Sequence, residues 1–124
     1  MPGADDAMLI TEDKRVYLCC GHTDMRKSIN GLAAIVRRGF DLDPCDESLF
    51  VFCNRQRDRI KILEWDADGF WLYFKRLERG HFRWPGVGDD KTMLLTGDEL
   101  NLLIGSAKLE KKLQRKEVTE RSVA

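Results

Sequence analysis

Apolar positions in this chain fall into short blocks divided by charged stretches, and the spacing within each block says which element it forms. The run "VYLCC", residues 16 to 20, is β-branched and aromatic, ends at Gly21, and predicts a first strand. In "TDMRKSINGLAAIVRRGF" the residues Met25, Ile29, Leu32, Ala33 and Val36 recur at helical spacing, which predicts a helix over 25–38. Thr23 or Asp24 stands where a side-chain oxygen would cap its first turn, and Arg37, Arg38 and Gly39 suit its C-terminal end. Gly31 inside it costs about 1 kcal/mol relative to alanine. It marks either a close approach of another backbone or a tolerated imperfection.

"SLFVFC", 48 to 53, has no polar interruption within its apolar run and reads as a central strand. Two β-rich runs, 59–65 and 70–77, flank the turn formers Asp66, Ala67, Asp68 and Gly69 and predict a hairpin. "HFRWP" extends the sheet as an edge strand closed by Pro85, and the stretch after it is a loop. Thr96 and Glu99 then form a capping box, with Leu95 and Leu100 at the positions of a hydrophobic staple, so a helix runs over 96–105. The expected fold is α+β: an antiparallel sheet of four or five strands, one helix packed on a face and a second, C-terminal helix beside it. Residues 1–13 carry no apolar period and read as a loose tail, 14–105 as a single domain, and 106–124 as a charged helical or frayed extension.

Composition narrows the class. The 124 residues are 43% hydrophobic and 34% charged, which suits one globular domain with its own core. No apolar run approaches the roughly 20 residues of a membrane span, and the acidic start lacks the basic flank and apolar segment of a signal peptide, so a cytoplasmic protein is expected. Cys19, Cys20, Cys45 and Cys53 contain no C-x-x-C pair and only His22 and His81 accompany them, so reduced thiols are expected and no metal or other cofactor. Cys19 and Cys53, inside apolar runs, read as small buried hydrophobes.

The charge is balanced, with 21 Lys and Arg against 21 Asp and Glu, yet "KRLERGHFRWP", 75 to 85, packs Lys75, Arg76, Arg79 and Arg83 among Phe82 and Trp84. Upstream, Arg55, Arg57, Arg59 and Lys61 alternate with other residues, so an extended chain would place all four on one face. Guanidinium pairs with phosphate and flat rings stack on bases, so these features fit nucleic-acid contact. A solvated strand face or a protein-docking surface fits the same spacing. Of the aromatic residues, which fall on both faces of the hairpin, Trp84 is the best candidate for an exposed one, although core packing is favoured there too. Catalysis finds little footing: there is no Gly-rich phosphate loop, nucleophile elbow or H-E-x-x-H helix. Asp24, Asp58 and Asp66 as a metal-dependent nuclease centre is the weakest alternative, since each has a structural role to play.

Taken in order, "GHTDMRKSINGLAAIV", "LFVFCNRQRDRIKILEWDADGFWLYFKRLERGHFRWP" and the "LT" to "LL" helix resemble the small accessory protein of insertion sequences of the sixty-six type. That family is often labelled TnpB and is unrelated to the RNA-guided nuclease of the same label. The resemblance covers roughly residues 9–105 and leaves out a tail at each end. Its motif residues fall on Gly21, Thr23, Asp24, Met25, Arg26 and Lys27, on Arg57, Asp58, Arg59, Ile60 and Lys61, and most densely on Lys75, Arg76, Leu77, Glu78, Gly80, Phe82, Trp84 and Pro85. The resemblance implies a bacterial mobile-element protein that assists transposition without cutting DNA, beside a separate transposase holding the catalytic acids. On this reading Arg55, Arg57, Arg59, Lys61, Lys75, Arg76, Arg79 and Arg83 contact phosphates of the element ends, with Arg26 and Lys27 extending the patch and no catalytic residue present. The other reading is a module that docks onto the cognate transposase or self-associates, anchored by Trp71 or Trp84.

Overall fold

Five strands form one sheet in the order β4-β3-β2-β1-β5, with β1 at Val16–Cys19, β2 at Leu49–Cys53, β3 at Arg59–Asp66, β4 at Gly69–Arg76 and β5 at Thr92–Leu95. The structure is a computed structural model that describes residues 14–85 and 90–105. The expected tail 1–13 and extension 106–124 lie outside the described residues. β2 is the middle strand and all five of its residues are buried, as an apolar run covered on both faces requires.

The α+β class holds, but the sheet is mixed rather than antiparallel. β1 and β2 run parallel, with Val16 opposite Leu49 and Leu18 opposite Val51, while the other three pairings are antiparallel. The physical reason is the connection: 20–48 contains a helix, and a long crossover returns the chain to the end from which β1 started. β5 pairs with β1 as an unexpected edge strand, four residues long and ending one residue before a helix cap. "HFRWP" is not a strand; it folds across the sheet instead and buries Phe82.

The crossover helix α1, Ile29–Ala34, starts later than its apolar spacing predicts and finishes in a π-helical turn, Ile35–Gly39. Residues 23–28 are taken by other bonds. The Asp24 carboxylate accepts from the Arg26 amide at 2.9 Å, the Asp24 carbonyl from the Lys27 amide at 3.1 Å, and the Lys61 ammonium holds the Met25 and Lys27 carbonyls at 2.9 and 2.8 Å. A side chain that bonds its own backbone competes with helix, so neither Thr23 nor Asp24 caps α1; Ser28 is its first residue's neighbour and makes no side-chain cap. At Gly31 the close approach is from Lys27, whose Cβ would lie 3.2 Å from an added Cβ.

The second helix, α2, spans Gly97–Ile104, and both halves of its capping box are made: Thr96 Oγ1 accepts from the Glu99 amide at 3.0 Å, and Glu99 Oε1 from the Thr96 amide at 2.8 Å. The helices lie on opposite faces, not side by side. Leu32, Ala33 and Val36 of α1 pack with Phe50, Phe52 and Leu63. Leu100 of α2 packs with Val16, Leu18, Leu49, Val51, Ile60, Ile62 and Phe82, joined by Leu95, Leu103 and Ile104. Cys19 and Cys53 are buried within these cores and all four cysteines are free thiols.

Candidate functional site

The topology sends three loops to one end of the sheet. β1, β2 and β4 all finish there and β3 begins there, so segments 20–28, 54–58 and 77–85 are neighbours. Backbone bonds tie them together: Thr23 N–H to the Cys53 carbonyl at 2.8 Å, Leu77 N–H to Asp58 O at 2.7 Å, and Phe82 N–H to Arg57 O at 2.7 Å.

Asn54, only 6% exposed, organises the middle loop. Its Oδ1 accepts from the amides of Asp58 and Arg59, each at 3.0 Å, and its Nδ2 donates to Asp58 Oδ1 at 2.7 Å and Gln56 Oε1 at 3.2 Å. Residues 55–58 are therefore a tight turn, with Arg57 in the left-handed region at φ 61°. This corrects the expected ladder. Arg55, Arg57, Arg59 and Lys61 do not share one extended face, because the strand begins only at Arg59.

Each predicted site residue can be placed. Arg26 forks onto Asp24, with Nη2 to Oδ2 at 2.7 Å, and Arg76 pairs with Glu78 at 2.8 Å. Arg59 lies 3.6 Å from Asp58. The Arg57 guanidinium sits 5.5 Å from the Trp84 ring centre, and its Nη1 is buried without a hydrogen bond. Lys61 holds the two carbonyls named above and lies 5.8 Å from the Phe74 ring centre. Lys75 donates to the Ile104 carbonyl at 2.9 Å, closing the C-terminal end of α2 from the opposite face of the hairpin. Lys27, Arg55, Arg79 and Arg83 are exposed, and among the described residues their side chains make no ion pair.

Of the two tryptophans, Trp84 is partly buried against the core and donates its indole N–H to the Cys19 carbonyl at 2.9 Å. Trp71 is 49% exposed on edge strand β4, stacks near Tyr73 and donates to Asp66 at 3.0 Å. Asp66 ends β3 roughly 25 Å from Asp58, which precedes it, so these carboxylates do not gather with Asp24 into one centre.

The loop end is strongly basic. Segments 20–28, 54–59 and 76–85 hold eight Lys and Arg against three acids, and each acid, Asp24, Asp58 and Glu78, already has a cation beside it. Asp90 and Lys91, at the start of β5, offset each other. The far end of the sheet is the reverse: Asp46, Glu47, Asp66, Asp68, Asp98 and Glu99 stand there with Lys14 and Arg15, and Lys14 is held by Glu64 at 2.7 Å. Among the described residues, the loops at the two ends of the sheet thus differ in charge.

Between the first two loops lies an open groove of about 410 Å³, lined by His22, Thr23, Asp24, Met25, Asn54, Arg55, Gln56 and Arg59. It sits beyond the carboxyl ends of the parallel pair, where open sheets with crossover helices place ligands. Sequence reasoning missed His22, Asn54 and Gln56. The signal that finds them is the parallel pairing of β1 and β2, which points both following loops into one crevice.

The hydrogen bonds from Arg26 hold the Asp24 carboxyl well below the usual carboxylate range, and Asp24 in turn raises Arg26. Burial pushes the Cys19 and Cys53 thiols up, against smaller opposing effects of the Thr23 hydroxyl on the first and the Arg57 guanidinium on the second. A depressed acid contributes its stabilisation above its ordinary pKa and loses it as pH falls through the folded value. The Asp24–Arg26 fork is therefore expected to persist at pH 4, where a free aspartate is about half protonated, and to open only in stronger acid. An NMR titration of the Arg26 Nε–H resonance checks this; a midpoint at an ordinary aspartate value would show the fork open in solution.

A one-sheet α+β domain with helices on opposite faces and its basic loops gathered at one end is the class that this geometry defines. The chain belongs to the family of IS66 Orf2-like proteins, whose model matches residues 14–114. That makes it an accessory protein of an insertion sequence. It is 42% identical over 76 residues to the uncharacterized protein y4hO of Sinorhizobium fredii, a match covering 61% of this chain and 66% of that one. It is also 33% identical over 90 residues to the uncharacterized protein y4jC of the same organism, covering 73% and 76%. No solved structure matches it. Among the described residues no helix is long and apolar enough to cross a membrane, and no three His, Cys, Asp or Glu side chains gather as metal ligands.

Proposed function

We propose that this protein binds DNA through its basic loop end, as a non-catalytic cytoplasmic assistant to transposition of its element. The observation that carries the reading is the excess of eight cations over three already paired acids, which leaves Lys27, Arg55, Arg79 and Arg83 exposed for phosphate. Arg26, Arg59 and Arg76 flank them and exchange a carboxylate for phosphate at modest cost, because surface pairs are worth little. Arg57, Lys61 and Lys75 act in this reading by holding the loops and helix ends in place. Contacts of this kind position the protein rather than specify a sequence.

Fluorescence anisotropy of labelled element-end and scrambled duplexes across a salt series tests it. The four exposed cations alone contribute about −3.6 to the slope of log K against log salt. Changing Lys27, Arg55, Arg79 and Arg83 together to alanine should flatten the slope by about that amount and leave only the share of Arg26, Arg59 and Arg76. Retained affinity in that variant, or no binding at low salt, overturns the proposal. The absence of binding would favour docking onto the transposase instead, a reading supported by the half-exposed Trp71 on an edge strand.

A further inference from the structure

From the groove between the first two loops we infer that the DNA form this protein prefers carries an unpaired nucleotide, such as a frayed or extended strand end. The inference rests on the DNA-binding reading and deepens it. The recess holds about 410 Å³, the scale of a small-molecule site, and is too small to admit a duplex. A paired duplex turns its bases inward and offers such a recess only backbone, whereas an unpaired nucleotide can place base and phosphate in it together.

Most of the lining fits that ligand, and the one carboxylate in it, Asp24, is neutralised by Arg26 at 2.7 Å. Asn54 is saturated by its own loop: both acceptor directions of Oδ1 are filled by backbone amides, so its Nδ2 must be the donor to Gln56 Oε1. That bond engages the oxygen of the exposed Gln56 amide and leaves its N–H groups without a partner among the described residues. They are donors for the acceptor atoms on a base edge. Met25 supplies an apolar wall, His22 an exposed flat ring for stacking, and Arg55 and Arg59 guanidinium groups for the attached phosphate. The site is held open from below, because Lys61 fixes the Met25 carbonyl and the Thr23 amide is bonded to Cys53.

The test compares three labelled DNAs under one low-salt condition: a blunt duplex, the same duplex with a short single-stranded extension, and the extension strand alone. The extended duplex should bind about tenfold tighter than the blunt one, the contribution of one stacked and hydrogen-bonded base. Gln56→Ala, an exposed change checked for folding by its thermal transition, should remove most of that difference. Equal or tighter binding of the blunt duplex overturns the inference while leaving DNA binding intact. A preference unchanged in Gln56→Ala removes the groove as its source and also overturns it. Failure of all three DNAs to bind overturns this inference and the DNA-binding reading together.

Discussion

Asn54→Ala is expected to destabilise the protein by about 3 kcal/mol and to abolish the groove with it. The side chain is buried, and its oxygen is the partner of two amides, those of Asp58 and Arg59. Alanine leaves both donors and the Asp58 carboxylate short of a partner at a part-buried site, and each unmade buried bond costs about 1–3 kcal/mol. The turn at 55–58 also loses what offsets the left-handed backbone of Arg57. Urea unfolding should show a lower midpoint at unchanged slope. A loss below about 1 kcal/mol would mean that solvent replaces the amide, and that the loop keeps its shape through backbone bonds alone.

Phe50→Ala should cost more, about 3–5 kcal/mol. Phe50 is 1% exposed in the middle strand, packs among Leu32, Val36 and Leu63, and lies over Tyr17 with ring centres 5.5 Å apart and planes 10° from parallel. Truncation removes the ring's transfer energy and leaves a cavity under α1 that neighbouring β-strands cannot collapse to fill. A domain of this size has only about 5–15 kcal/mol in total, so the variant should melt at least about 10 °C lower. Phe50→Leu, which keeps most of the volume, should recover the greater part. A small effect of Phe50→Ala would show that α1 settles onto the sheet without the ring.

What could be read from the chain depended on how local the deciding contacts are. Thr96 and Glu99 are three residues apart and bond to each other's backbone, so their box was visible in four letters. The uninterrupted apolar run of β2 and the turn at Asp66–Gly69 are equally local. The strand–helix–strand order of β1, α1 and β2 already implied a parallel crossover, and the antiparallel expectation overlooked it. Other features are set by residues far apart in sequence. Met25 has helical spacing, but Lys61 takes its carbonyl, and no pattern around Met25 reveals that. Alternation placed Arg57 beside Arg59 on one face, yet Asn54 turned the backbone and Trp84 received the guanidinium. For the candidate site, basic residues marked the three loops that meet at one end of the sheet, while the groove itself depended on a pairing that had to be known first.

The charge difference between the two ends of the described sheet bears on how this protein meets a polyanion. With 21 cations and 21 anions it feels almost no net pull at a distance, and bulk properties such as isoelectric point or column retention report neutrality. A field gradient nevertheless exerts a torque on separated charge. Near a nucleic acid the described domain's own charges favour an orientation in which loops 20–28, 54–58 and 77–85 lead and the end with Asp46, Asp66 and Asp98 trails. On the proposed DNA-binding reading, orientation would precede contact and shorten the search for a productive encounter, without the indiscriminate adhesion of a uniformly basic protein.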